Sequence, residues 1–242
     1  VYDYILAKAC DRLERTEEYI RESIIQPLEM VAFRTLQQAL VTDDDFVDLQ
    51  CSAEDVNAVG FLAKEVRSSP GQPQSLFSFG HHSLKEYLAA RYLARFQGKL
   101  ESFLADNFNV ALNESIATFL FGILEGNSLR QMVEITMNQL RSTAPYLNIT
   151  NCSQSHLLFN CFNEVEQPIS DAIQQIINQF CPRRILLYPE CNAKCMRGIG
   201  VICSIDKIKE KSVEFYFDLS GNHQNTELNI NLMSRLIKFQ GV

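Results

Sequence analysis

Tryptophan is absent from this chain, and histidine occurs only 4 times in 242 residues. No apolar run approaches the roughly 18–20 residues that a membrane-spanning helix needs, which argues against a membrane span. Basic residues are outnumbered, 22 Lys and Arg against 29 Asp and Glu, for a formal net charge of −7. A main partner made of nucleic acid is thereby excluded, because phosphate contacts need a basic face. The opening VYDYILAKAC carries Asp3 and Lys8 and lacks the basic-then-apolar order of a signal peptide. It reads as mid-protein helix, and with no initiator Met the sequence is expected to be a piece of a longer chain. Paired C-x-x-C spacing is missing too. Cys181, Cys191, Cys195 and Cys203 have neither zinc-module spacing nor a histidine among them, so no metal is expected. Cys191 and Cys195 share a helix face, which packing explains equally well. No cysteine stands in a recognisable nucleophile setting. Scattered through helical stretches, the 8 cysteines suit reduced thiols in a cytoplasmic protein better than a disulfide framework. The sequons at Asn148 and Asn151 carry no weight without a secretion signal.

What is present is globular: 46% hydrophobic and 21% charged residues, with length for one or two cores and two the better prior. Residues 3–24 favour helix throughout, with RLERTEEYIRE as a solvated mixed-charge face. Pro27 is expected to open a second helix over 27–40, on which Leu28, Val31, Ala32, Leu36 and Leu40 follow helical spacing. TDDDF breaks it. Ser52 and Asp55 form a capping box for a helix running to about Val66. RSSPGQPQS is a loop and LFSF a short strand. Helix, helix, flexible loop, strand, helix suggests a small winged-helix domain with the loop as its wing. Glu54, Asp55 and Glu65 against Lys64 alone make its second helix unsuited to DNA.

Beyond Leu93 helical signals dominate. NESIATFLFGILEG ends with Gly126 in the position of a C-cap, followed by SLRQMVEITMNQLRS, SQSHLLFNCFNEVEQ and SDAIQQIINQF. Short joins between them describe an antiparallel helical array. From Arg184 the texture becomes strand (RILLYP), helix (CNAKCMRGIGVICS), strand (VEFYFDLSGN), then a helix over 226–239. A spacing of roughly 28 residues falls in the range of leucine-rich repeats.

Half of the imidazoles stand side by side in FSFGHHSLKEYLAARYL, residues 77–93. Ser83 with Glu86 reads as a capping box, so His81 and His82 precede a helix whose N-terminus gathers free N–H groups and the positive dipole end. Such an end suits a phosphate, to which an imidazole N–H can donate, and Gly80 leaves room for close approach. A capped helix also needs no ligand, and a histidine there is often only a surface residue or a core imidazole.

FSFGHHSLKEYLAARYL resembles the F-x-H-x-[ST]-F-Q-E-[FY]-x-A-A-x-Y-L segment that ends the winged-helix domain of NACHT-domain receptors, the NLR family of signalling ATPases. Aligning Phe79 and Glu86 places the family histidine on His81, with His82 at a variable position. Leu84 and Lys85 replace the more usual Phe and Gln, and Lys85 is expected to be exposed. Further segments resemble the family in order: LEMVAFRTLQ, ATFLFGILEG, LLFNCFNEVEQP, CNAKCMRGIGVICS and FDLSGN, the last with Glu214 where a leucine belongs. The resemblance implies a mainly α fold: the end of a first helical domain (1–26), a winged-helix domain with a short β wing (27–98), an antiparallel second helical domain (99–182), and the first α/β leucine-rich repeat units (183–242). It also implies that His81, and at most His82 beside it, contacts the terminal phosphate of ADP held by a NACHT core upstream. ADP or ATP with Mg would bind only together with that core, since this chain has no G-x-x-x-x-G-K-[ST] and is not itself an enzyme. The implied partners are that core, the downstream repeats and further copies of the receptor on activation in innate-immune signalling. The other reading is a nucleotide-independent helical scaffold for protein–protein interaction.

Overall fold

A backbone without free N–H at residue 27 decides how the chain begins. In the computed structural model, which describes residues 2–49, 51–66, 75–106, 108–109, 113–143, 152–166, 168–180, 184–187, 193–203, 205 and 214–217, helix α1 (Tyr2–Leu13) ends at Glu14 with φ +49. Thr16 then caps α2 (Glu17–Ile20), its side chain accepting from Tyr19 N–H. A π turn, Arg21–Ile25, leads directly into α3 (Gln26–Arg34), and Gln26 N–H donates five residues back to the Arg21 carbonyl. Pro27 cannot donate to residue 23, and the wide turn accommodates its ring. The helix expected without interruption over 3–24 is broken at 14–16, and Pro27 stands in the first turn of α3 as expected, although the π turn joins that helix to α2 without a gap. On its exposed face Arg21 Nη2 pairs with Glu17 Oε1 at 2.6 Å, a spacing of four as the mixed charges suggested.

The chain divides into two compact units, Val1–Ser102 and Phe103–Val242. In the first, α3 stops at Arg34 instead of continuing to Leu40: Thr35, at φ −100 and ψ 16, leaves the helical conformation, its hydroxyl donating to the Val31 carbonyl. Strand β1 (Val41–Thr42) and a 3-10 turn (Asp43–Phe46) follow, Thr42 and Asp45 forming a capping box. Helix α4 (Ala53–Val59) starts as expected: Ser52 Oγ accepts from Asp55 N–H, and Asp55 accepts from Ser52 N–H. It ends seven residues before Val66, since Gly60 takes the left-handed conformation (φ +90) that closes a helix. Leu62–Val66 is instead strand β2, antiparallel to β3 (Ser75–Phe79), with Lys64 opposite Phe77. β1 pairs with the other edge of β3, giving a three-stranded antiparallel sheet in the order β1-β3-β2. The expected loop over 67–75 lies, apart from Ser75, outside the described residues. Helix α5 (His82–Arg95) packs along α3. Leu28, Val31, Phe61, Phe77, Leu88 and Ala89 are buried in the resulting core. Helix α6 (Gln97–Asp106) crosses the boundary between the units.

The second unit holds α7 (Glu114–Ile123), α8 (Gly126–Thr143), α9 (Cys152–Asn163), α10 (Asp171–Phe180), β4 (Arg184–Leu187), α11 (Ala193–Cys203) and β5 (Glu214–Phe217). Gly126 does not cap α7. It takes a left-handed φ of +55 as the first residue of α8, after a turn at Leu124 and Glu125. β4 and β5 pair in parallel through α11, Arg184 beside Glu214 and Leu187 beside Phe217. The helix expected over 226–239 falls outside the described residues, as do the asparagines of both sequons, Cys181 and Cys191. The molecule is thus mainly helical, and among the described residues no helix is long and apolar enough to cross a membrane.

The closest helix contact in the second unit is between α9 and α11. A Cβ on Gly198 would fall 1.8 Å from the Phe159 carbonyl oxygen, so only glycine permits it. Around it Cys195 Sγ reaches Asn160 Oδ1 (3.5 Å) and Arg197 Nε donates to Asn163 Oδ1 (2.7 Å). Gly198→Ala should therefore destabilise by at least about 2 kcal/mol through overpacking. A Cβ at Gly80 meets nothing within 4 Å, and Gly80→Ala should shift stability by less than about 0.5 kcal/mol in urea denaturation.

Candidate functional site

The histidine pair stands where β3 hands over to α5, and the cap there is not the one the sequence suggests. His81, extended at φ −149 and ψ 140, is itself the N-cap residue, and His82 is the first residue of the helix. His81 Nδ1 accepts from the Ser83 backbone N–H at 3.2 Å and lies 2.6 Å from the Ser83 hydroxyl oxygen. Ser83 lies inside the helix, so the expected Ser83–Glu86 capping box does not form. The helix begins one residue earlier than the serine would place it, and the imidazole occupies the cap position. Glu86 faces His82 instead, Oε1 lying 3.5 Å from Nε2.

This geometry settles the chemistry of the His81 ring. A backbone N–H can only donate, so Nδ1 is an unprotonated acceptor and the neutral ring carries its proton on Nε2. His81 is exposed, and Nε2 has no hydrogen-bond partner among the described residues. The cap also consumes the Ser83 N–H, one of the groups a bare helix end would offer an anion. What the His81 side chain itself offers a ligand is its Nε2–H. That donor is of the kind a phosphate oxygen accepts.

Two features hold this helix on α3, and the first was not legible from spacing. Lys85, expected at the surface, is 2% exposed. Its ammonium donates to the Thr35 carbonyl and, at 2.6 Å, to the Gln38 carbonyl, just past the end of α3. It also stands 5.6 Å from the ring centre of Phe79. Carbonyls at a helix C-terminus carry partial negative charge, so a cation is favourable there even though the Thr35 carbonyl also accepts from Gln38 N–H. Burial lowers the Lys85 pKa, and the Asp45 carboxylate opposes that shift.

One to three turns further along α5, Arg91 and Arg95 close on Glu29 of α3, which is 0% exposed. Arg91 Nε donates to Oε1 at 2.8 Å, and Arg95 Nη2 lies 2.6 Å from Oε2, out of line for a hydrogen bond and so a purely ionic contact. Loss of solvation raises the Glu29 pKa, and the pull of Arg95 and Arg91 offsets only part of it. The sequence held a signal for this pair: Glu29 interrupts an apolar helix face, and the arginines are spaced four apart.

Elsewhere, burial pushes the Cys51 thiol up to about 11 and the Cys161 thiol up to about 12, leaving both neutral. No group of three or more His, Cys, Asp or Glu able to hold a metal occurs among the described residues. Comparison with protein-family models returns no match for this chain, and comparison with curated proteins returns no significant match.

Glu29 makes stability depend on pH with a definite sign. A carboxyl whose folded pKa is raised above the ordinary 4.5 contributes stability that is fully present below that value and is lost as pH rises through the folded pKa. The stability advantage of wild type over Glu29→Gln should therefore decline from pH 4 toward pH 7 in urea titrations. A difference that is constant, or that grows with pH, contradicts this.

Proposed function

We propose that this chain is the regulatory segment of an NLR-type receptor, closing over ADP held by a nucleotide-binding core of the same receptor. The observation that carries the reading is His81: an exposed imidazole locked through Nδ1 as a helix cap, with Nε2–H left to donate. In the inactive form that N–H donates to a phosphate oxygen of ADP, and the NACHT core with Mg supplies the nucleotide site itself. His82, drawn toward Glu86, is the lesser candidate. The order α3, β1, 3-10 turn, α4, β2, β3, with β3 central in the sheet, supports a winged-helix assignment. The parallel β4–α11–β5 unit supports the start of a leucine-rich repeat array, and α7 to α10 a second helical domain.

The physical role of His81 is differential binding. A contact biases an equilibrium only by as much as it differs between the two states. His81 therefore stabilises the closed receptor because it meets nucleotide there and not in the open form, so sensing by the repeats and binding of ADP oppose each other reciprocally. Opening would then permit exchange for ATP and oligomerisation.

The test is nucleotide content. The full-length receptor is purified and denatured, and released nucleotide is quantified by chromatography for wild type, His81→Ala and His81→Asn. Asparagine is a good N-cap and retains the cap, worth about 1 kcal/mol, while removing the imidazole. Stoichiometric ADP in wild type, reduced in both variants, is expected. ADP unchanged in both variants contradicts the latch, and no nucleotide in any of them makes the chain a helical scaffold.

A further inference from the structure

The residues on either side of His81 are tied down by one ammonium group. Phe79, two positions before it, ends β3 and lies with its ring 5.6 Å from Lys85 Nζ. Lys85, four positions after it, is on the first turn of α5 and bonds the Thr35 and Gln38 carbonyls beyond α3. Strand end, helix start and the end of α3 therefore meet at a single buried charge. Between the two anchors the chain has only Gly80, His81 and the start of the helix, with Gly80 N–H donating weakly to the Phe61 carbonyl at 3.4 Å. Glycine at 80 would otherwise leave this junction loose, since its backbone has the most freedom of any residue. Lysine is also an improbable choice for mere filling: burying an ammonium is unfavourable unless its donors are met, and an apolar side chain would fill the same space without that requirement.

We infer that Lys85 is a positioning residue for His81: by fastening both the end of β3 and the first turn of α5 to the carbonyl end of α3, it fixes where the His81 Nε2–H is presented. This rests on the nucleotide-latch reading above. The side chain touches no ligand itself. Its effect on nucleotide must therefore pass through His81, which separates positioning from simple stabilisation.

A double-mutant cycle in the full-length receptor tests this, with release of a fluorescent ADP analogue followed by stopped flow. Lys85→Met keeps the apolar stem and removes the donors. It should speed release roughly tenfold when His81 is present, a factor within the usual range for coupled sites. In the His81→Ala background it should change release by less than about twofold, the scatter of non-interacting pairs. Lys85→Gln, which keeps a donor, should restore part of the slow release. In this chain alone, Lys85→Met should also raise the amide exchange rate of Ser83, whose N–H is held by the His81 cap.

Equal acceleration in both backgrounds overturns the inference, since Lys85 then acts on stability and not through His81. An unchanged release rate in Lys85→Met, or unchanged exchange at Ser83, overturns it while leaving the latch intact. If His81→Ala alone leaves release unaltered, the latch reading fails and this inference falls with it.

Discussion

Helix α5 is seated on α3 by charge at two places, and the conformation of the histidine junction depends on that seating. At one end a buried ammonium sits on the Thr35 and Gln38 carbonyls beyond α3. Further along, two arginines close on a carboxylate that has lost all contact with water. Apolar packing of Leu28, Val31, Leu88 and Ala89 supplies most of the attraction, but it is non-directional and would tolerate sliding or rotation of one helix on the other. The ionic contacts are directional. They select one register, because any slip would strand Glu29 or Lys85 without partners in a low-dielectric interior.

The two charged sites are unequal in what their loss would expose. Arg91 and Arg95 keep 25% and 31% of their side-chain surface, so freed of Glu29 they could turn toward water. Glu29 has no such recourse; its carboxylate is stable in this position only while the arginines face it, and its raised pKa records the residual penalty. Lys85 lies between these cases, with its donors satisfied by main-chain oxygens that cannot be titrated away. The acceptors at the α5 N-terminus thus do not titrate, whereas the carboxyl that holds the helix further along does, and its contribution declines as pH rises.

Legibility in the sequence followed the range of the interactions. Local devices were readable: the Ser52–Asp55 capping box, the short strand at LFSF, the helices of the second unit, and the strand–helix–strand order after Arg184 all lie where spacing puts them. Errors arose where a local signal was outcompeted. Gly60 ended α4 early, and His81 displaced Ser83 from the cap. Lys85 was misjudged for a different reason. Lysine is almost never fully buried unless partnered, and its partners here lie 47 and 50 residues away, beyond any pattern of sequence spacing. The histidine pair itself was conspicuous, but only the fold reveals that its two members do different things, one capping and one facing Glu86.

The central claim is that His81 is held in one tautomer with Nδ1 committed to the cap and Nε2–H presented outward. Nitrogen NMR of the His81 ring at a pH where it is neutral reads this directly. A protonated-type shift at Nε2 and an unprotonated acceptor shift at Nδ1, with little averaging between them, is the expected result. Averaged shifts, or a proton on Nδ1, would mean that Ser83 is not capped by this ring and that the donor on which the latch depends is not preformed.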